Sequence, residues 1–527
     1  MALLRRLGHR MEELAGHSVD RVTAELGGPA RRRVIILLAA VLGLDAADKG
    51  TVAALAFQLE RGLHIGNAHI GLMVTVSSLV GAMATVPVGS LTDRFNRTRI
   101  LQGAILLWAV AQAASGIAPT FAVLLGCRVA LGAVTATAGP AVASLAGDLF
   151  PPGERGRMWG FILTGEVVGT GIGVVLSGLV ANWAGWRAAF FVLALPSIAL
   201  VWALRHWLPE PSRGGQSRIP RGADTVPQSG EDLGPASGNE AVRPVASAAR
   251  ELVHRRHVAP AEDIVLDRPA TEMHLWQAIR YVLRVRTNLV LIVASSIGYF
   301  FFSGLSTFAV IFLRGQYGLG QGSASMLVVA VGLGILAGLV GAGRLGDRLV
   351  GRGRLEGRLT LGTVGFVCSA VALAPALWSS TLALSVPLFI LAGAFVAAPN
   401  PGLDAARLDV VPARMWGRAE GVRTLLRQSL QAFAPLLFGY LSEVFGAPTG
   451  GIGAGIDAKH ATISRAQTLA LRDTFLVMLL PVIAGGLLLL LARKSYPVDI
   501  ASALESDRRI AEGAESSHRV PAGEIAG

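Results

Sequence analysis

Long apolar segments dominate this chain and leave few ways to fold it. Six lie at about 34–59, 68–91, 100–118, 120–146, 158–183 and 188–208, and six more at about 287–313, 322–346, 359–378, 380–403, 418–445 and 471–493. Each is near the roughly 20 residues that a helix needs to cross a bilayer. In hydrocarbon a backbone must satisfy its own hydrogen bonds, and a helix does so within one segment. A chain of 527 residues with 52% hydrophobic and only 16% charged residues is also too apolar for a soluble domain. The expected fold class is an all-α membrane protein of twelve transmembrane helices.

The net charge of +12 falls mainly between these segments, on one side. Arginines 94, 97, 99, 155, 157, 344, 348, 352, 354, 358, 407, 414 and 418 share one face if both termini do, the pattern of cytosolic loops. That accounts for the basicity without nucleic acid, whose fold signatures are missing from the sequence. It places a multi-pass protein in the plasma (inner) membrane with both termini cytosolic. An Arg-rich stretch precedes a first segment of full spanning length, so no cleavable leader is expected. Cys127 and Cys368 lie inside apolar runs and read as packing residues.

The segments divide the chain into a cytosolic N-terminal part at 1–33, a six-helix bundle at 34–208, a cytosolic linker at 209–286, a second bundle at 287–493 and a cytosolic tail at 494–527. Leu3, Leu4, Leu7, Met11 and Leu14 among Arg5, Arg6 and Arg10 suit either a helix lying on an anionic membrane or a frayed end. Residues 209–270, rich in Gly, Pro, Ser and mixed charge, read as disordered. Leu275, Trp276, Ile279, Val282 and Leu283 alternate with Arg280, Arg284 and Arg286, which predicts an interfacial helix over 274–286.

Ionisable residues inside spans are costly and mark function by default. The first span carries Asp45, Asp48 and Lys49, with Asp45 and Lys49 four apart on one helical face; a structural ion pair is the plain alternative. Arg128 lies in the fourth span and Glu166 in the fifth, where Gly165, Gly169 and Gly173 permit close helix approach. Arg423 and Arg427 lie four apart in the eleventh, beside Gln428. Arg423 is placed to reach the surface, whereas Arg427 lies deeper and suits an anionic group. Tyr299, and Asn400 between Pro399 and Pro401, offer hydrogen bonds where a helix is interrupted.

Two joints repeat. Gly89, Asp93, Arg94, Arg97 and Arg99 follow the second segment, and Gly343, Asp347 and Arg348 follow the eighth. Residues 151–160 and 412–421 form a second repeated pair, each containing Arg-Met-Trp-Gly. The Gly, Asp-Arg and trailing basic residues resemble the loop motif of the major facilitator superfamily. That resemblance implies two pseudo-symmetric six-helix bundles, alternating access about a central cavity, and a conformational gating role for Gly89, Asp93, Arg94, Arg97, Gly343, Asp347 and Arg348. Asp48-Lys-Gly-Thr-Val-Ala53 is similar to the first-helix Asp-Arg-x-Thr-apolar-Ala pattern of spinster-like transporters, which move lysolipids and sphingolipid-like molecules. Asp148-Leu-Phe-Pro-Pro152 also looks like that branch. Lys49 stands in place of its arginine, and Thr135 in place of its glutamate.

Arg128-Val-Ala-Leu-Gly132 matches the Arg-x-x-x-Gly pattern of proton-coupled members. Counted at about 1.5 Å per residue from the ends of their spans, Asp48 and Arg128 lie at one depth, and the resemblance implies that the first and fourth helices adjoin; a guanidinium beside a carboxylate favours the charged acid, and moving it away favours proton uptake. The run around Glu166 resembles the antiporter motif of drug exporters, with Thr170 where that motif has proline. The expected function is a proton-coupled secondary active transporter of an amphipathic or lysolipid-like small molecule. The alternative is a proton antiporter of diverse amphipathic compounds, and the less favoured one a transport-inactive receptor or scaffold. Asp45, Asp48, Lys49, Arg128, Glu166, Tyr299, Asn400 and Arg427 are the candidate proton-coupling and cavity residues.

No enzyme activity, cofactor or metal is expected. Gly450–Gly455 lacks the GK[ST] ending of a phosphate loop, and no such ending elsewhere points to ATP. His254-Arg-Arg-His257 reads as a charged patch. The expected partners are a small-molecule substrate, protons and membrane lipids, with the protein a monomer.

By the resemblance, Asp93 favours the outward-open state by bonding to the positive N-terminus of the eleventh helix. Asp93→Asn is expected to reduce flux in proteoliposomes while expression stays normal, and cysteine labelling is expected to move toward the inward-open pattern. Unchanged flux and labelling would remove the gating role.

Overall fold

A computed structural model describes residues 23–24, 26–150, 152–211, 219, 222–223, 248–267, 273, 275–412, 415–446, 456–457 and 462–518. The surface-helix reading of residues 3–14 and the Gly450–Gly455 connector lie outside them. The chain divides into two compact units, one of residues 1–58 and 79–241, the other of 59–78 and 242–527. Among the described residues, nine helical stretches are long and apolar enough to cross a membrane.

α1 (Pro29–Leu63) and α2 (Asn67–Arg94) lie mainly in the first unit, with their facing ends, residues 59–78, in the second, and are followed by α3 (Arg97–Ile117). Asn96 caps α3 by accepting from the Arg99 backbone N–H. The fourth predicted span is two helices, α4 (Phe121–Thr135) and α5 (Ala138–Leu149), separated at Ala136 and Thr137. The fifth and sixth spans form α6 (Pro152–Trp207), which turns at Gly185, where φ is 82°. Only glycine adopts such a φ at little cost, and the turn falls between the predicted spans.

Small residues set the spacing of α1 and α6. A Cβ added to Gly165, Gly169 or Gly173 would strike the carbonyl oxygen of Ala39, Gly43 or Ala47 respectively. The four-residue spacing on both helices keeps these contacts on one face. Without a hydrophobic force between helices in lipid, such backbone approach supplies dispersion attraction. Leu107, Val110 and Ile117 of α3 remain exposed, as suits a surface that meets hydrocarbon.

The second unit repeats the pattern. After the linker helices α7 (Ala248–Arg255) and α8 (Leu275–Arg284) come α9 (Arg286–Tyr317), α10 (Gln321–Gly351) and α11 (Gly357–Trp378). The tenth predicted span is again two helices, α12 (Leu382–Ala397) and α13 (Pro399–Asp409), so Asn400 lies in the first turn after a break. α14 (Trp416–Val444) and α15 (Arg465–His518) complete it, with a two-residue antiparallel pair, Ile456–Asp457 against Thr462–Ile463, between them. Gly338 of α10 meets the Ala394 carbonyl of α12 as Gly169 meets Gly43.

The structure corrects the disorder expected at 248–267, while most of 212–247 lies outside the described residues. Residues 248–267 are docked on the second unit. Arg250 is buried, donating to the carbonyls of Asp409 at 3.2 Å, Leu408 at 3.2 Å and Val411 at 2.6 Å, and to Asp507 at 3.0 Å. Ala261 and Leu266 donate their backbone N–H groups to Ser502 and Ser506. Arg509 pairs with Glu262 at 2.8 Å and Asp267 at 3.1 Å. Ser502, Ser506, Asp507 and Arg509 belong to α15, which runs past the predicted end of the last span at 493 and through most of the predicted tail. Composition misled here because order comes from partners more than 150 positions away. The interfacial helix has the expected two faces: Ala278, Tyr281 and Val282 are buried, and Trp276 is exposed.

The glycine contacts predict a sharp contrast. Gly169→Val must push α1 from α6, and an overpacked site of this kind costs about 1–3 kcal/mol. The melting temperature of purified protein is expected to fall, or folded protein to be lost. Gly103→Ala, where a Cβ meets nothing within 4 Å, is expected to leave the melting temperature unchanged or slightly raised.

Candidate functional site

α1 carries Asp48 and α4 carries Arg128 to the same place in the first unit. Arg128 Nη1 donates to both Asp48 oxygens, at 2.7 and 2.9 Å. Its Nη2 makes only a long contact of 3.4 Å to Gln112 Oε1 on α3. Phe190 of α6 lies under the guanidinium, 4.8 Å from it. Arg128 is 1% exposed and Asp48 6%. Yet Arg128 Nε and Gln112 Nε2 have no hydrogen-bond partner among the described residues. A buried pair held through one nitrogen is less than the two-pronged grip a guanidinium can give.

One step along α1, Lys49 Nζ pairs with Asp45 Oδ2 at 2.6 Å. Here Lys49 is 64% and Asp45 27% exposed, so this pair is not enclosed by protein in the way that Asp48–Arg128 is. Glu166 lies within electrostatic range of Lys49. The glycine contacts explain why: they bring the Glu166 turn of α6 against α1. Thr170, in the place of the exporter proline, returns its hydroxyl to the Glu166 carbonyl at 2.8 Å, so this turn stays helical.

In the second unit, the Arg427 guanidinium of α14 lies over the Tyr299 ring of α9 at 4.2 Å. Its Nε has no hydrogen-bond partner among the described residues. Asp404 of α13 pairs with Arg407 and lies 3.9 Å from Arg423. Asn400, one turn earlier on α13, is partly buried.

Arg97 and Arg358 play another part. Arg97, 2% exposed, donates to Glu210 at 2.9 Å, to Ser144 at 2.8 Å, to the Pro211 carbonyl at 2.8 Å and to Asp148. It ties the start of α3 to the end of α5 and to the segment after α6. Arg358 at the start of α11 pairs with Asp409 at the end of α13 at 2.7 Å, and Tyr496 of α15 donates to the same carboxylate at 2.8 Å. The two units therefore carry the same clamp between corresponding helices.

The sequence pattern of the Major Facilitator Superfamily matches residues 37–435. The chain belongs to the major facilitator superfamily. Two solved structures of a bacterial homolog to the human lysosomal transporter Spinster share its fold, both inward-facing. The unoccupied one is 19% identical with a TM-score of 0.65 and covers 91% of this chain and 98% of its own. The occupied one is 18% identical with a TM-score of 0.66, covering 89% and 98%. At such identity the likeness is one of fold. The chain is thus a multi-pass membrane transporter, and its structural neighbours match the spinster-like resemblance of its motifs.

Within this superfamily protein, sequence reasoning paired Asp45 with Lys49 and set Asp48 near Arg128, but it missed Gln112, Phe190 and Asp404. Gln112 was legible as a lone amide inside an apolar span. Among the gating candidates, Gly89, Asp93 and Arg94 end α2, and Asp347 lies in α10; their side chains are outside the described ones. Gly343 is partly buried against Pro401 and Arg348 is exposed.

Arg97 is itself buried and bridges the partly buried acceptors Asp148, Glu210 and Ser144. Arg97→Leu is expected to cost about 3–5 kcal/mol, as breaking one side of a buried pair does. Thermal melting in detergent should register that loss, whereas Arg99→Leu, at an exposed position, should leave the melting temperature within error.

Proposed function

We propose that this protein is a proton-coupled secondary active transporter of an amphipathic, lysolipid-like molecule with an anionic group, working by alternating access in the plasma membrane. The observation that carries the coupling is the under-held Asp48–Arg128 pair. In the structure the Arg128 guanidinium sets a compensating positive charge against both Asp48 oxygens, at 2.7 and 2.9 Å. Any movement of α4 against α1 that breaks the Nη1 contacts leaves a buried carboxylate without its cation, and it takes up a proton. The break between α4 and α5 gives that movement a place to occur. Arg128 then falls back on Gln112 and the Phe190 ring.

The substrate class rests on Arg427. A guanidinium stacked on Tyr299 with Nε unspent can donate to a phosphate or carboxylate, and Asp404 with Arg407 and Arg423 keeps the surroundings positive on balance. The adjoining apolar helices suit an acyl chain. Asp45, Lys49 and Glu166 form the group through which protons reach the first unit in this reading, and Asn400 lines the break in the second.

Proteoliposomes with an imposed proton gradient and a radiolabelled lysophospholipid test this. Asp48→Asn is expected to abolish gradient-driven accumulation while keeping substrate exchange, and Arg128→Ala to shift the pH profile of transport. Accumulation by Asp48→Asn at the wild-type rate would move the proton site elsewhere, with Glu166 the next candidate.

A further inference from the structure

Past the apolar part of α1, at the end away from the arginine-rich terminus, lies an acid that neither the motifs nor the proposed coupling pair uses. Glu60 is 5% exposed. Its Oε2 accepts from Gln467 Nε2 of α15 at 3.0 Å. Its Oε1 has no hydrogen-bond partner among the described residues. The same Gln467 nitrogen donates to Asn67 Oδ1 at the start of α2, at 3.3 Å, so both its hydrogens are spent. Asn67 Nδ2 donates to Ser442 Oγ of α14 at 2.9 Å, and Ser442 donates to the Gly439 carbonyl at 2.7 Å. Glu443 Oε1 accepts from the Ala68 N–H at 2.9 Å. All of these residues belong to the second unit.

The seam is close as well as polar. A Cβ on Gly71 would strike the Pro435 carbonyl, and one on Gly439 the Asn67 carbonyl. The tips of α1 and α2 are thus sewn to α14 and α15 by one amide chain ending on a buried carboxyl. The charged groups around it do not favour a carboxylate. Glu443 adds negative charge from α14. Arg61, His64 and His69 on the α1–α2 tip are exposed. On α15, Arg472 is engaged by Asp473 at 2.9 Å, and Arg465 precedes Gln467 by two positions, off its helical face. A buried carboxylate with one neutral donor and an acidic neighbour is costly, whereas the neutral acid gives Oε2 as the acceptor and leaves only an O–H unmatched.

We propose that Glu60 is a proton-binding site that latches this end of the transporter: the protonated acid holds α1 and α2 against α14 and α15, and loss of its proton to the outer solution releases them. The inference rests on the alternating-access reading for its consequence, since the released seam is the one that must part to open outward. The proton is exchanged with outer solvent alone, so this site differs from Asp48–Arg128 in place and in partner.

Spin labels on Gly62→Cys and Val444→Cys, both exposed positions, in a Cys127→Ser, Cys368→Ser background, read the seam directly in lipid nanodiscs. Between about pH 5 and about pH 9, a range that brackets a carboxyl shifted by burial, the wild type is expected to pass from one short distance to a growing long-distance population. Glu60→Gln, a permanently neutral side chain, is expected to keep the short distance throughout. Glu443→Gln keeps the acceptor for Ala68 but removes the neighbouring charge, so its midpoint is expected to fall by about half a pH unit or more. A merely structural seam would not move that midpoint. A pH-independent wild type, a Glu60→Gln protein that opens as the wild type does, or an unmoved midpoint in Glu443→Gln each overturns the proposal. Absent lysophospholipid flux with this distance response intact would instead refute the proposed function and leave the latch standing.

Discussion

A charge enclosed by apolar helices has to find its partners inside the protein, and this chain answers that constraint in two ways. Arg97 spends its nitrogens on Glu210, Asp148, Ser144 and the Pro211 carbonyl. Arg128 reaches Asp48 through one nitrogen, with Nε idle and Gln112 at 3.4 Å. Both are buried, so burial does not separate them. Completeness of hydrogen bonding does: a satisfied network is rigid, whereas a half-satisfied one has little to lose by rearranging. That contrast distinguishes a clamp from a candidate switch.

The switch in turn depends on small residues. Ala39, Gly43 and Ala47 of α1 meet Gly165, Gly169 and Gly173 of α6 backbone to backbone. Larger residues there would widen the gap and take Glu166 away from Lys49. Each unit also carries an interrupted helix. α4 ends at Thr135 and α12 at Ala397, each followed within a few residues by a second helix. Discontinuous helices at corresponding places in two halves are where transporters of this architecture gather their polar groups.

Duplication is visible in the chemistry as well as in the loops. Arg97–Asp148 and Arg358–Asp409 join equivalent helix ends, but their third partners differ: Glu210 in the first unit, Tyr496 in the second. The second clamp is also where the linker docks, because Arg250 takes the carbonyls of Leu408, Asp409 and Val411. The linker and the end of α15 thereby become part of the second unit.

Reading residues in order determined the spans, the turn near Gly185, the close-packing face of Gly165, Gly169 and Gly173, and the unusual charges Asp48, Arg128, Glu166 and Arg427. These follow from hydropathy, residue volume and helical period, which are local properties. The tertiary structure alone decided how completely each charge is held. Asp48 and Arg128 are 80 positions apart, and nothing local says that Gln112 and Phe190 complete their surroundings. Residues 248–267 read as disordered because their own composition buries little, yet Arg250 is buried against partners 158 to 257 positions away. Glu60 reads as an ordinary acid at the end of an apolar run. Its isolation arises only when α2, α14 and α15 close over it, because the cost of a charge is set by the dielectric and donors around it in space.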